Sequence, residues 1–287
     1  MKKKNRLVYN LVNLLVLGLT VVLFVHDYVL PGTLPALLAP EGMPVLILTV
    51  LLVHAVKAIR LYLALYRLDM SRSVCMKLYA KVTPVSVVLP WKLGEFFRIY
   101  CCGAELKSYL KGVVIIVLDR FFDTVALVTM ILLVWLIGGG SLPPLIYALL
   151  IFLGLVLLLY FAFPGMYEVW KHYLLSSKAT AHKLSMLKLL DGTFRIYREI
   201  KGVLHGRGSM LYILSVLAWG VEIGSLALLH GAEGHLGETV SCYLSAALGM
   251  GDSAELKRFV VFTILLLILA YIVIKLAETL AGKRSKK

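Results

Sequence analysis

Charge is scarce in this chain, and negative charge is scarcer still. Charged residues fill 16% of the 287 positions and hydrophobic ones 60%, with a mean hydropathy of +0.89. Those figures exclude a water-soluble globule and predict an all-α integral membrane protein. Sixteen acidic residues face thirty basic ones, a formal net charge of +14. In a soluble protein that excess would suggest nucleic acid; here basic cytoplasmic loops account for most of it, and no nucleic-acid partner is expected. Catalytic signatures are missing too: there is no HExxH, GxSxG, P-loop or GxGxxG, which weakens an enzymatic reading and implies no cofactor. Cys75, Cys101, Cys102 and Cys242 show neither CxxC nor metal-ligand spacing. They are read as reduced packing residues, and no metal is expected.

What the chain does contain is long apolar runs. Six are long enough to cross a hydrocarbon core of about 30 Å, at approximately 7–25, 43–66, 112–137, 143–163, 209–230 and 258–280. The first follows Met1-Lys2-Lys3-Lys4-Asn5-Arg6 and resembles a signal peptide, but it can span and lacks a cleavage site, so a retained anchor is expected. The loop 26–42 and the turn 138–144 hold no Lys or Arg, whereas the N-terminus and the stretches 67–111, 171–207 and 283–287 are basic. This bias predicts a multi-pass protein of the cytoplasmic (inner) membrane with both termini cytoplasmic, organised as one polytopic domain over 1–287.

Two shorter segments stand apart. Residues 82–102 carry Pro84, Pro90, Gly94 and three charges, and residues 239–250 are too short to span. Both fit re-entrant segments, the first entering from the cytoplasm and the second from outside; two short interfacial helices are the alternative for the first. Leu93-Gly94-Glu95 with Tyr100 is echoed by Leu236-Gly237-Glu238 with Tyr243, a pointer to an inverted repeat. In the cytoplasmic loop 167–208, Leu184, Leu187, Leu190, Phe194, Tyr197, Ile200 and Leu204 recur at helical spacing with basic residues between them. That predicts an amphipathic helix, lying on an anionic leaflet or packed beneath the bundle, with Gly192 as a candidate break.

Ionised groups inside apolar runs are the main functional signal, because each costs roughly 2.5–3.5 kcal/mol at a helix centre on insertion scales. Asp119 and Asp123 lie one turn apart with Arg120 between them. They form either a self-neutralising pin or a cluster that shares Arg120 with a phosphate. Lys92, Glu95 and Arg98 surround a Gly-containing turn, and Arg98 offers a planar fork for phosphate oxygens. His54, Lys57 and Arg60 form a stripe at intervals of three, on which Arg60 is expected to snorkel. Glu222, near Trp219, is a candidate counter-ion to Lys57 or Arg120.

The proline-containing stretch Pro90–Arg98 with its Leu-Gly-Glu and following Arg, the Asp119-Arg120-x-x-Asp123 pattern, and Trp219 with Glu222 resemble the flippase-like membrane domain of lysylphosphatidylglycerol synthases. The chain departs from that family at Gly234-His235-Leu236-Gly237-Glu238, where the usual proline of a glycine-rich turn is missing. The resemblance implies a stand-alone member, without the synthase domain, that translocates an anionic phospholipid or a polyprenyl-phosphate-linked lipid. Membrane lipids would be its partners, along with a separate synthase or glycosyltransferase. Lys57, Lys92, Arg98 and Arg120 would contact phosphate, and Glu95, Asp119, Asp123 and Glu222 would hold those cations. The competing expectations are a membrane enzyme acting on lipid headgroups and a non-transporting accessory subunit.

Overall fold

The computed structural model describes residues 3–66, 70–90, 93–138, 142, 144–176, 180–230 and 236–284, with the helix path alone given at 3–7 and 281–284. Every regular element among them is helical: α1 (Lys3–Phe24, continued by a π turn Val25–Val29), α2 (Leu34–Leu37), α3 (Met43–Leu65), α4 (Arg72–Val88), α5 (Leu93–Glu105), α6 (Tyr109–Gly138), α7 (Pro144–Ser176), α8 (Ala181–Leu204), α9 (Gly208–His230), α10 (Leu236–Ala247) and α11 (Ala254–Arg284). Six of these are long and apolar enough to cross a membrane: Val8–Val29, Met43–Leu65, Tyr109–Ile137, Pro144–Ser176, Gly208–His230 and Ala254–Leu280. The chain is a multi-pass helical membrane protein, and the six expected spans are found in order.

The spans are not equal. In α3 and α9, 44% and 39% of the most apolar window is buried; in α1 and α7 the figure is 11%. Two central helices, α3 and α9, therefore pack tightly on each other, while α1 and α7 present mostly lipid-facing surface. Lipid is as apolar as a leucine side chain, so close packing and polar contacts must hold the central helices together. Around them stand α4, α5, α6, α10 and α11.

The segment 82–102 straddles two helices. Leu89 is extended (φ −71°, ψ 126°) before Pro90, the conformation a following proline enforces, and α5 then folds back along α4. Gly94 makes this hairpin close, since a Cβ there would overlap the Ser86 backbone. The segment 239–250 lies mostly in α10, whose 12 residues reach about 18 Å. Both halves of the sequence echo open helices, α5 at Leu93 and α10 at Leu236. Their tyrosines differ in role, however: Tyr100 stacks between Tyr9 and Tyr109, while Tyr243 donates to Glu222.

Two local expectations are corrected. The helix that holds the fourth expected span does not stop at residue 163, because α7 continues through Pro164 to Ser176; one missing backbone donor is tolerated in a long apolar helix. Nor does Gly192 interrupt α8, which starts at a Thr180 cap accepting from the Lys183 amide (3.4 Å) and runs unbroken to Leu204. Tyr167 of α7 stacks on Phe194 of α8 at 3.9 Å, and Ile200 and Leu204 join the core of the bundle. The far end of α8 stays uncovered, with Leu184 and Leu189 exposed.

Candidate functional site

Asp119 stands ten residues into α6, about 15 Å along the helix, too deep to be hydrated from its end. The fold brings cations to it from two other helices. Arg60 of α3 donates from Nε to Asp119 Oδ1 (2.8 Å) and from Nη1 to Asp123 Oδ1 (2.9 Å). The same Nη1 donates to Ser215 Oγ on α9 (2.6 Å). Arg98 of α5 donates from Nη2 to Asp119 Oδ2 (3.1 Å) and from Nη1 to Glu95 Oε2 (3.2 Å). Glu95 reaches on to Arg120 Nη2 (2.5 Å), and Arg120 Nη1 lies 3.8 Å from Asp123 Oδ2.

These contacts close a ring of alternating charge: Arg60, Asp119, Arg98, Glu95, Arg120, Asp123 and back to Arg60. Three guanidiniums balance three carboxylates, each group between two of opposite sign. Burying such ions singly would cost several kcal/mol apiece, and only paired, hydrogen-bonded charges persist in a dry interior. The ring is uneven. Arg60 and Arg98 are 4% and 3% exposed, whereas Arg120 is 44% exposed and holds the longest link.

Beside it on α3, Lys57 donates to Glu222 Oε1 of α9 (2.9 Å) and lies 5.5 Å from the centre of the Trp219 ring. Tyr243 of α10 donates to the other Glu222 oxygen (3.0 Å). Half way along α3, His54 is bound at one nitrogen to Tyr79 of α4 (2.7 Å) and at the other to Thr263 of α11 (3.0 Å).

The ring and the Lys57 pair face a common cavity of about 290 Å³. Its walls hold four cations (Lys57, Arg60, Arg98, Arg120) and three carboxylates (Asp119, Asp123, Glu222), with Glu95 outside the lining. Thr83 and Ser86 from the segment 82–102 and Ala246 and Ala247 from the segment 239–250 both contribute to it. Three residues of its lining each hold a buried polar atom with no hydrogen-bond partner: Trp219 Nε1, Arg98 Nε and Thr83 Oγ1. Indole and guanidinium nitrogens can only donate, so two of the three call for an acceptor.

Of the eight residues singled out by sequence, Lys57, Arg98, Arg120, Asp119, Asp123 and Glu222 line this cavity and Glu95 braces it from behind. Lys92 lies outside the described residues. Glu222 pairs with Lys57 rather than with Arg120. Arg60 does not snorkel; it is the most engaged cation of the ring. Tyr79, Tyr243, Ser215 and Thr263 were also missed, since a lone hydroxyl in an apolar run carries no signal until its partner is known.

The chain is thus a helical multi-pass membrane protein with a charged cavity between its spans. Residues 10–273 match the family described as lysylphosphatidylglycerol synthase TM region, and the chain belongs to that family. No curated protein and no solved structure matches it.

Proposed function

We propose that this protein moves a lipid with an anionic headgroup, a phospholipid or a polyprenyl-phosphate-linked lipid, between the leaflets of the cytoplasmic membrane. The observation that carries the reading is the cavity: one more cation than carboxylate in its walls, and lining residues that hold buried polar atoms without a partner. An unmet buried donor costs about 1–3 kcal/mol, and a phosphate supplies several acceptors and a negative charge together. Family membership directs the choice towards a lipid.

In this reading Lys57, Arg98, Arg120 and the undescribed Lys92 contact phosphate. Glu95, Asp119, Asp123 and Glu222 keep the empty site near neutrality, so that a headgroup exchanges one carboxylate partner for another anion. Arg120 is the point of entry, being the most exposed cation with the longest link. The α4–α5 hairpin enters from the face that carries the termini and α10 from the other, both reaching the cavity as the two halves of a re-entrant transporter plan do. The basic loops put the termini in the cytoplasm. Movement is downhill or ion-coupled.

The test is reconstitution of the purified protein in vesicles with labelled phosphatidylglycerol and labelled polyprenyl phosphate, read as leaflet exchange. Faster exchange with lipid of unchanged mass is expected. Unaccelerated exchange of both lipids, or a chemically altered lipid, would sink the proposal.

A further inference from the structure

Helix α4 is polar on two faces. Tyr79 and Thr83 look into the central cavity. Lys77 and Lys81, each two residues before one of these and so about 200° around the helix, look into a second cavity of about 590 Å³. Its walls are α1, α4 and α11 with the end of α5, and it includes Tyr9, Asn13, Leu14 and Tyr271.

Lys81 is held there in a different way from every cation of the central site. Its ammonium donates to Asn13 Oδ1 (2.6 Å), Tyr9 Oη (3.3 Å) and, weakly, Cys101 Sγ (3.9 Å). It also lies 4.9 Å and 5.6 Å from the centres of the Tyr9 and Phe97 rings. Among the described residues, every ion pair involving a lysine belongs to Lys57, Lys77 or Lys257, and none to Lys81. Lys77 is paired with Glu278, which lies outside the lining, and Glu105, the one acid among the lining residues, is exposed. A half-buried ammonium held only by neutral groups beside a large cavity is a standing demand for an anion.

The surroundings say which anion. The first span begins at Val8, so Tyr9 stands at headgroup level and the cavity deepens from there along α1. Leu14 and Leu17 line it and are exposed, offering an apolar track in the direction an acyl chain would run. We propose that this pocket binds the phosphate of a membrane phospholipid, at Lys81 with Tyr9 and Asn13, as a site separate from the central cavity. It does not depend on transport: a lipid resting here docks α1, one of the two least buried spans, against the bundle.

The test uses the full chain with a benzophenone amino acid in place of Leu14, in vesicles of equal phosphatidylglycerol and phosphatidylcholine. Photo-adducts are identified by mass. Phosphatidylglycerol adducts are expected to exceed phosphatidylcholine adducts about fivefold, the scale one lysine sets against an anionic lipid. Lys81→Met should abolish that preference and Lys81→Arg should retain it, the latter showing that the helix contact itself survives substitution. Equal labelling of the two lipids in the unsubstituted chain would overturn the proposal, as would a preference that Lys81→Met leaves intact. A preference erased by inorganic phosphate but not by chloride of equal ionic strength would assign the pocket to a free anion and overturn it likewise.

Discussion

Arg60, Arg98 and Arg120 belong to one ring but do different work. Asp119 is shared by the two buried guanidiniums, so Asp119→Asn leaves both short of a counter-charge. Removing one partner of a buried pair typically costs about 3–5 kcal/mol, and thermal unfolding in detergent should fall accordingly. Asp123→Asn should cost less, since Asp123 is more exposed and one of its links is 3.8 Å; equal losses would mean the ring is not the stabilising unit. Arg120→Gln is the informative variant. At 44% exposure its ion pairs are worth roughly 0–1 kcal/mol to stability, yet it should slow leaflet exchange about tenfold, the loss of roughly one charge-assisted hydrogen bond. A stable Arg120→Gln protein with full transport would remove Arg120 from the pathway. The deep charges were legible as charges: nothing else accounts for Lys57, Asp119 and Glu222 inside apolar runs. Their pairing was not. Arg60 was judged on an isolated helix, where its long stem could reach water, and only the approach of α6 and α9 makes inward burial the better solution.

At the scale of elements, spacing and glycines separate what is fixed from what is free. Gly94 lets α5 lie against α4, and through it sets the position of Glu95 and Arg98. Gly94→Ala should destabilise by about 1–3 kcal/mol, the usual cost of overpacking, and should disturb the ring although it touches none of its charges. Gly192 is the contrast: a Cβ there meets nothing within 4 Å. Its interior helical position predicts that Gly192→Ala is neutral or stabilises by about 0.5–1 kcal/mol. Melting curves of the two variants beside the parent check both, and a reversed order would contradict the packing described for the hairpin. The same contrast shows where helix boundaries were readable. Pro90 ends a helix because Leu89 must be extended before it. Pro164 and Gly192 end nothing, because a residue's preference for breaking a helix is weaker than the cost of exposing backbone to lipid or of separating α8 from Tyr167.

For the whole molecule, orientation decides which leaflet the central cavity serves. Hydropathy made the six crossings legible, since span length is set by bilayer thickness. The meeting of the two proline-flanked and glycine-flanked segments at one cavity was visible only as an expectation of shared polarity. Six crossings would return the chain to the face it started from, and the proposed orientation puts that face in the cytoplasm. The cysteines test this without any engineering. Cys75, Cys101 and Cys102 are buried, while Cys242 on α10 is exposed and, in the proposed orientation, lies at the opposite face. A membrane-impermeant maleimide added to intact spheroplasts should therefore modify the protein once, at Cys242, and Cys242→Ser should remove the signal. Labelling that appears only after the membrane is permeabilised would place α10 inside. It would then be α10, and not the α4–α5 hairpin with Arg98 and Glu95, that faces the cytoplasmic leaflet, and the proposed order of headgroup entry past Arg120 would have to run the other way.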